Sequence, residues 1–169
     1  MSCKNIKGGK ISVGSNERTI NEVTFKKLRK RTQLAKGDVL LSSVGTIGEL
    51  VLVNIEPVNI EFQRSVAIIK PNPEFVSSAY LYEALLSQRS EIINAAHGAV
   101  QQCIFIGDIK GFKIVLPPLT LINRFDEIVL PILDKITANQ VENKRLADIR
   151  DTLLPKFMSG EIDVSAVQN

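Results

Sequence analysis

The sequence of 169 residues predicts an α+β fold, with a mixed or antiparallel sheet domain over residues 1–118, a long coiled-coil-type helix over 119–158 and a tail over 159–169. Two observations predict this order. Short apolar runs rich in Val and Ile precede Pro118, and turn-forming residues bound each of them. After Pro118 the apolar residues follow the 3–4 alternation of a heptad. Strands that flank a helix in this way are typical of an α+β domain.

Four runs before Pro118 have the length and composition of β-strands. Each is rich in β-branched or aromatic residues, and Gly, Pro, Asn or Asp stands at its ends. The four runs are residues 39–41, 50–55, 66–69 and 112–116. Together they predict the sheet.

One helix is predicted between these strands. Apolar residues recur at helical spacing from Tyr80 to Ile93, and the pattern ends before Gly98. Ser77 or Ser78 is the expected N-cap, because a serine side chain accepts a hydrogen bond from a backbone N–H of the first turn. The sequence therefore predicts one continuous helix in the middle of the domain.

The long C-terminal helix is predicted from a one-sided apolar stripe with charged residues on the other faces. Its predicted interface positions are Ile122, Phe125, Val129, Ile132, Ile136, Asn139, Asn143, Leu146 and Leu153, with Arg150 in the same register. Pro131 is expected to kink the helix or to mark its true start, and Pro155 to end it. The stripe needs a partner, which is either another helix or the core of the domain itself.

The charge of the chain is unevenly distributed, although its net value is only +3. Residues 1–36 carry seven Lys and three Arg against two Glu, a net +8, and the other 133 residues carry eleven basic and sixteen acidic groups, a net −5. Such a field favours a polyanion, because each phosphate that is neutralised releases condensed counterions. The alternative is a basic surface that is merely solvated. The candidate phosphate contacts are Lys26, Lys27, Arg29, Lys30 and Arg31.

The sequence contains no legible catalytic or metal-binding motif. His97 is the only histidine, so zinc has no pair of histidine ligands and a Ser–His–Asp triad would depend on a single residue. The segment VGTIG (44–48) lacks the Lys-Ser/Thr ending of a nucleotide-binding loop. Cys3 and Cys103 have no metal-ligand spacing around them. We therefore expect no catalysis, no cofactor and no metal, with a small nuclease as the enzymatic alternative.

The sequence also gives an expectation for localisation. No stretch approaches the roughly 20 consecutive apolar residues of a membrane span. The N-terminal segment MSCKNIKGGK lacks the apolar core of a secretory signal. We therefore expect a cytoplasmic protein that makes no contact with a membrane.

Three polar loops have the residue types that contact nucleic acids. Glycine allows close approach of the backbone, hydroxyl groups bond phosphates or base edges, and Gln and Arg bind adenine and guanine bidentately. Each loop alone is equally compatible with an ordinary turn. Together with the basic first 36 residues they favour duplex DNA as the target. The candidates are Ser43, Gly45 and Thr46 in the first loop, Gln63 and Arg64 in the second, and His97, Gln101 and Gln102 in the third.

Several motifs, in their order along the chain, resemble one known family. The motifs are KGDVLLSSVGTIG (36–48), QRSVAIIKP (63–71), YLYEALLS (80–87), GAVQQ (98–102) leading to IVLPPL (114–119), and LADIRDTLLPKFMSGEI (146–162). They look like the target-recognition domain and the following spacer helix of type I restriction-modification specificity subunits. The last motif is the most specific of them.

The resemblance implies a non-catalytic protein that reads one half of a bipartite DNA target and docks the modification (methyltransferase) subunits and, through them, the restriction subunit. Members of the family usually carry two recognition domains and two antiparallel helices. This chain has material for one of each, so a homodimer through the C-terminal helix is expected. The recognition domain usually begins earlier, before the element that resembles NIKGGKI (5–11). The alternative function is therefore a truncated homologue that acts only in helix-mediated assembly.

Overall fold

A computed structural model describes residues 1–14, 17–98 and 102–162. The chain divides into two compact units, Met1–Pro131 and Ile132–Asn169. All the strands among the described residues lie in the first unit. They are β1 (Ile6–Lys7), β2 (Lys10–Ile11), β3 (Val39–Ser42), β4 (Leu50–Leu52) and β5 (Val66–Ile69).

The central sheet has three antiparallel strands in the order β4-β3-β5. In its register Leu40 is opposite both Val51 and Ile68. All four residues of β3 are buried, as expected for a central strand that is covered on both faces. The antiparallel sheet with flanking helices confirms the predicted α+β class. The strand predicted over 50–55 is shorter, because β4 ends at Leu52.

A two-stranded hairpin, β1–β2, contributes to the core beside this sheet. Ile6 is only 1% exposed. It belongs to a cluster of buried apolar side chains that consists of Ile6, Leu34, Leu40, Val51, Val53, Phe62 and Val66. Burial of this cluster stabilises the packing of the hairpin against the central sheet.

The helices are α1 (Glu22–Thr32), α2 (Ser78–Ser87), α3 (Arg89–Asn94), α4 (Ile106–Gly111) and α5 (Leu119–Met158). Ser77 caps α2 by accepting a hydrogen bond from Tyr80 N, as predicted. The single helix predicted through Ile93 is wrong, because it is divided into α2 and α3 at Gln88. Gln88 N donates to Leu85 O, three residues back, which tightens the turn and ends α2.

The strand predicted over 112–116 is also wrong, since none of these residues belongs to a sheet. Two side chains of the α2 region bond to its carbonyl groups instead. Tyr80 Oη donates to Val115 O at 2.8 Å, and Gln88 Nε2 donates to Lys113 O at 2.9 Å. These contacts supply partners that a neighbouring strand would otherwise provide.

The predicted C-terminal helix is confirmed, but its two prolines do not bound it. Pro131 lies in its interior, so it is not the first residue, and the helix continues beyond Pro155 to Met158. Proline removes only its own N–H donor, and the carbonyl of Pro155 still accepts a hydrogen bond from Ser159 N at 2.9 Å.

The first turns of α5 pack within the first unit. Ile122 is 1% exposed, and the ring of Phe125 meets that of Tyr80 edge to face with 5.5 Å between centroids. Ser77 Oγ donates to Asp126 Oδ1 at 2.8 Å, so the residue that caps α2 also holds α5.

Candidate nucleic-acid interface

The first predicted loop connects β3 to β4 and is fixed by its own hydrogen bonds. Ser42 Oγ donates to Thr46 O and accepts a hydrogen bond from Glu49 N at 2.9 Å. Gly48 has φ +82°, and a Cβ atom there would lie 2.7 Å from Ile93 Cγ1. This glycine therefore permits a close approach between the loop and α3. Gly45, in the same loop, is exposed.

Ser43 joins the first loop to the other two. Its N–H donates to Ser65 O at 2.9 Å, and its carbonyl accepts from Ile104 N at 2.9 Å. Gly45 N donates to Gln102 O at 3.2 Å. The three segments that the sequence separates by about 20 to 60 residues thus meet at one end of the sheet, where β3 ends and β5 begins.

The candidates differ in what they present to solvent. Ser43 is buried, and its hydroxyl donates to Arg64 O at 3.5 Å, so it supports the loops from inside. Gln101 lies outside the described residues. The exposed candidates at this end of the sheet are Gly45, Thr46, Gln63, Arg64, His97 and Gln102.

His97 is held in place by three kinds of contact. Its backbone exchanges two hydrogen bonds of 2.8 Å with Cys103. Its ring stacks on Phe105 at 5.7 Å between centroids, and Nε2 lies 3.3 Å from Asp108 Oδ2. The imidazole is therefore exposed but oriented, which suits a contact with a ligand better than a freely rotating side chain would.

Four of the five basic candidates project from α1 into solvent. They are Lys26, Lys27, Lys30 and Arg31. Lys26 forms an ion pair of 2.7 Å with Glu22, one helical turn earlier. Such an exposed pair is weak and exchanges readily for another anion.

Arg29 differs from these four because its guanidinium bonds to backbone carbonyl groups of other segments. It donates to the carbonyl oxygens of Leu34, Pro57 and Ile60, the last two at 2.8 and 2.7 Å. Its Nε lies 2.7 Å from Oε1 of buried Glu61, an ion pair without the alignment of a hydrogen bond. The structure thus accounts for Arg29 without a nucleic acid.

Sequence reasoning missed the network that holds the end of the first loop. Arg89 donates to Gly48 O at 2.8 Å and to Glu49 Oε1 at 2.6 Å. Gly8 N donates to Glu49 Oε2 at 2.8 Å. This backbone hydrogen bond, followed by the contacts with Arg89, lowers the pKa of Glu49 below its ordinary value although partial burial opposes the shift. Because Arg89 and Glu49 are 40 residues apart, no local sequence pattern predicts the pair.

The predicted interface of α5 falls into two parts. Ile122 is buried in the first unit, and Phe125 and Val129 are half-buried there. Beyond Pro131, Leu153 is half-buried and the other positions are exposed. These exposed positions are Ile132, Ile136, Asn139, Asn143 and Leu146.

Two further features of the described residues concern other classes of protein. Over 1–14, 17–98 and 102–162, no group of three or more His, Cys, Asp or Glu is placed to hold a metal ion. None of the helices in these ranges has a stretch long and apolar enough to span a bilayer.

Known sequences are similar to this chain over most of its length. The family model described as type I restriction modification DNA specificity domain matches residues 2–151. The type I restriction enzyme MjaIX specificity subunit of Methanocaldococcus jannaschii is 29% identical over 145 residues, which cover 86% of this chain and 33% of the relative. The HindI specificity subunit of Haemophilus influenzae is 29% identical over 125 residues, covering 73% of this chain and 27% of the relative. The chain thus spans about a third of the length of these relatives.

A solved structure shares the fold. The crystal structure of the type I restriction-modification system S subunit from M. genitalium superposes with a TM-score of 0.58 at 19% identity. The likeness covers 94% of this chain and 41% of that one. It extends over most of the sequence described here.

Proposed function

Because the chain belongs to the family of type I restriction modification DNA specificity domains, we propose that it binds duplex DNA and reads one half of a bipartite target. The observation that carries the proposal is the meeting of three polar loops at one end of the sheet through Ser43 and Gly45. Specific binding needs several base-reading groups in fixed relative positions. The hydrogen bonds between these loops supply that fixed geometry.

Four of the exposed residues at this end of the sheet fall into two chemical classes. Gln63 and Arg64 carry the side chains that bind adenine and guanine bidentately in the major groove. Gly45 offers a close backbone approach, and the hydroxyl of Thr46 suits a phosphate or a base edge. The exposed cations of α1 would bind phosphates and so add affinity without sequence preference.

The test is a comparison of duplex binding across many sequences at several salt concentrations. Alanine at Gln63 or Arg64 should change which sequences are preferred, by about 1–3 kcal/mol for each base pair read. Lys27→Gln, on α1, is the control and should weaken binding to all sequences alike, with the salt slope reduced by about one unit. If preference is unchanged in both alanine variants, neither residue reads bases.

Assembly is a further part of the proposal. The exposed positions of α5 beyond Pro131 would pair with the same helix of a second chain, so that a homodimer presents two recognition domains to the two halves of a split site. This arrangement is supported by the exposure of the apolar side chains of Ile132, Ile136 and Leu146 on that part of α5. Modification subunits would dock on the dimer and bring the restriction subunit with them. The chain itself would act in the cytoplasm without catalysing a step.

The second candidate is a protein that only assembles. Exposed apolar residues of α5, such as Ile132 and Leu146, favour it, because they need no DNA to find a partner. Salt-sensitive duplex binding by the full chain separates the two candidates. Pairing without such binding would favour the assembly protein.

A further inference from the structure

The β1–β2 hairpin presents two lysines side by side. Lys7 and Lys10 are directly opposed in its register, on either side of the two-residue turn 8–9. Side chains alternate between the faces of a strand, so Ile6 and Ile11 point towards the core on the other face. Both lysines are exposed.

The hairpin is fastened at its base and at its tip. At the base, Ser12 N donates to Asn5 O at 2.8 Å, and Asn5 Nδ2 donates to Ser12 O at 2.9 Å. At the tip, Gly8 N donates to Glu49 Oε2 at 2.8 Å. A ligand that binds the two lysines therefore does not have to order the backbone that carries them, which lowers the entropic cost of binding.

Each acidic group next to the hairpin forms its ion pair with another cation, although Lys7 lies near enough to Glu49 to attract it electrostatically. Glu17 lies 3.5 Å from the ammonium of Lys4, and Glu49 lies 2.6 Å from the guanidinium of Arg89. Within the described part of the chain, no ion pair contains Lys7 or Lys10. Like charges on directly opposed strand positions repel each other. An anion that binds between them relieves this repulsion.

The hairpin lies beside the loop that connects β3 to β4. Glu49, which accepts a hydrogen bond from Gly8 at the tip of the hairpin, directly follows that loop. We propose that Lys7 and Lys10 clamp the phosphate backbone of duplex DNA next to the part of the target that this loop contacts. The inference rests on the proposed DNA binding and locates where the backbone is held. Phosphate contacts carry no sequence information, so the clamp sets register and affinity, while Gln63 and Arg64 set the sequence preference.

The test uses the full chain and measures duplex affinity as a function of salt. The variant Lys7→Gln/Lys10→Gln removes two charges at the hairpin. The control Lys36→Gln/Lys144→Gln removes two exposed lysines elsewhere, since Lys36 precedes β3 at the end of that strand remote from the loop and Lys144 lies on α5. Thermal unfolding of both variants verifies that they fold.

The clamp predicts that the hairpin variant reduces the slope of log affinity against log salt by about 1.8, because each phosphate contact contributes about 0.9. The order of preferred sequences should stay unchanged, and the control should keep the wild-type slope. A hairpin variant with the wild-type slope, or a control that loses as much as the hairpin variant, overturns the clamp while DNA binding stands. A wild-type chain that does not bind duplex overturns the proposed function and the clamp together.

Discussion

The loop end of the sheet and the C-terminal half of α5 differ in how their side chains find partners. At the sheet end, polar groups of separate loops bond to one another through Ser43 and Gly45. In α5, the apolar side chains of Ile132, Ile136 and Leu146 are 54%, 46% and 53% exposed. A helix owes most of its stability to the packing of its apolar face. The sheet end is thus ordered by its own contacts, whereas this half of α5 exposes apolar side chains that the proposed dimer would cover.

The largest expected effect concerns Arg29, a side chain of the first unit that has its partners within the fold. Arg29→Ala leaves the buried carboxylate of Glu61 without its cation, which should lower the free energy of unfolding by about 3 kcal/mol. Arg31→Ala, two residues further along α1, is the control, and this exposed change should cost less than about 0.5 kcal/mol. Urea unfolding measures both. Equal losses in the two variants would show that Arg29 is as dispensable to the fold as Arg31.

The proposed pairing of α5 has its own test. Ile136→Asp introduces a charge into the proposed helix pair and should weaken dimerisation about 100-fold, or about 2.7 kcal/mol. Ala138→Asp adds the same residue two positions away, outside the predicted stripe, and should leave the dimer intact. Light scattering over a range of concentrations measures the mass. A dimer that resists Ile136→Asp, or dissociates equally with Ala138→Asp, contradicts pairing through this stripe.

A smaller effect tests the close approach of the first loop to α3. Gly48→Ala places a Cβ atom 2.7 Å from Ile93 Cγ1 at a positive φ, and should cost about 2 kcal/mol in unfolding free energy. Gly107→Ala is the matched change, since nothing lies within 4 Å of its Cβ position and alanine favours the helix α4. Chemical denaturation compares them. A Gly48 variant as stable as the Gly107 variant would mean that the loop moves away without cost.

The sequence predicted those parts of the fold that depend on local periodicity. The strand at Val66–Ile69 and the helix α5 follow from a run or a repeat that is visible within one segment. The segment 112–116 has the composition of a strand, but long-range contacts with Tyr80 and Gln88 hold it outside the sheet. Propensity carries no information about such contacts.

The same limit applies to the candidate interface. The residue types of the three loops could be recognised in the sequence. The sequence did not show that Ser43 is buried or that Arg29 pairs with Glu61, because burial depends on which segments meet in the fold. The β1–β2 hairpin had a local signal, since two glycines stand between Ile-Lys and Lys-Ile. The pair of Arg89 with Glu49 had none.

The smallest effect is a pH dependence. It separates the two contacts of the Glu49 carboxylate, which are the hydrogen bond from Gly8 N and the ion pair with Arg89. The lowered pKa of Glu49 means that it stabilises the fold above the pKa of the unfolded chain, and that this contribution is lost as pH falls through the folded pKa. Glu49→Gln should therefore be less stable than wild type at neutral pH, and the difference should shrink in acid. Arg89→Gln should retain part of the pH dependence, because the hydrogen bond from Gly8 N, the largest single cause of the lowered pKa, is still present. Urea unfolding at a series of pH values measures both variants. If Arg89→Gln abolishes the dependence as fully as Glu49→Gln does, the guanidinium and not the hairpin is the main support of the loop.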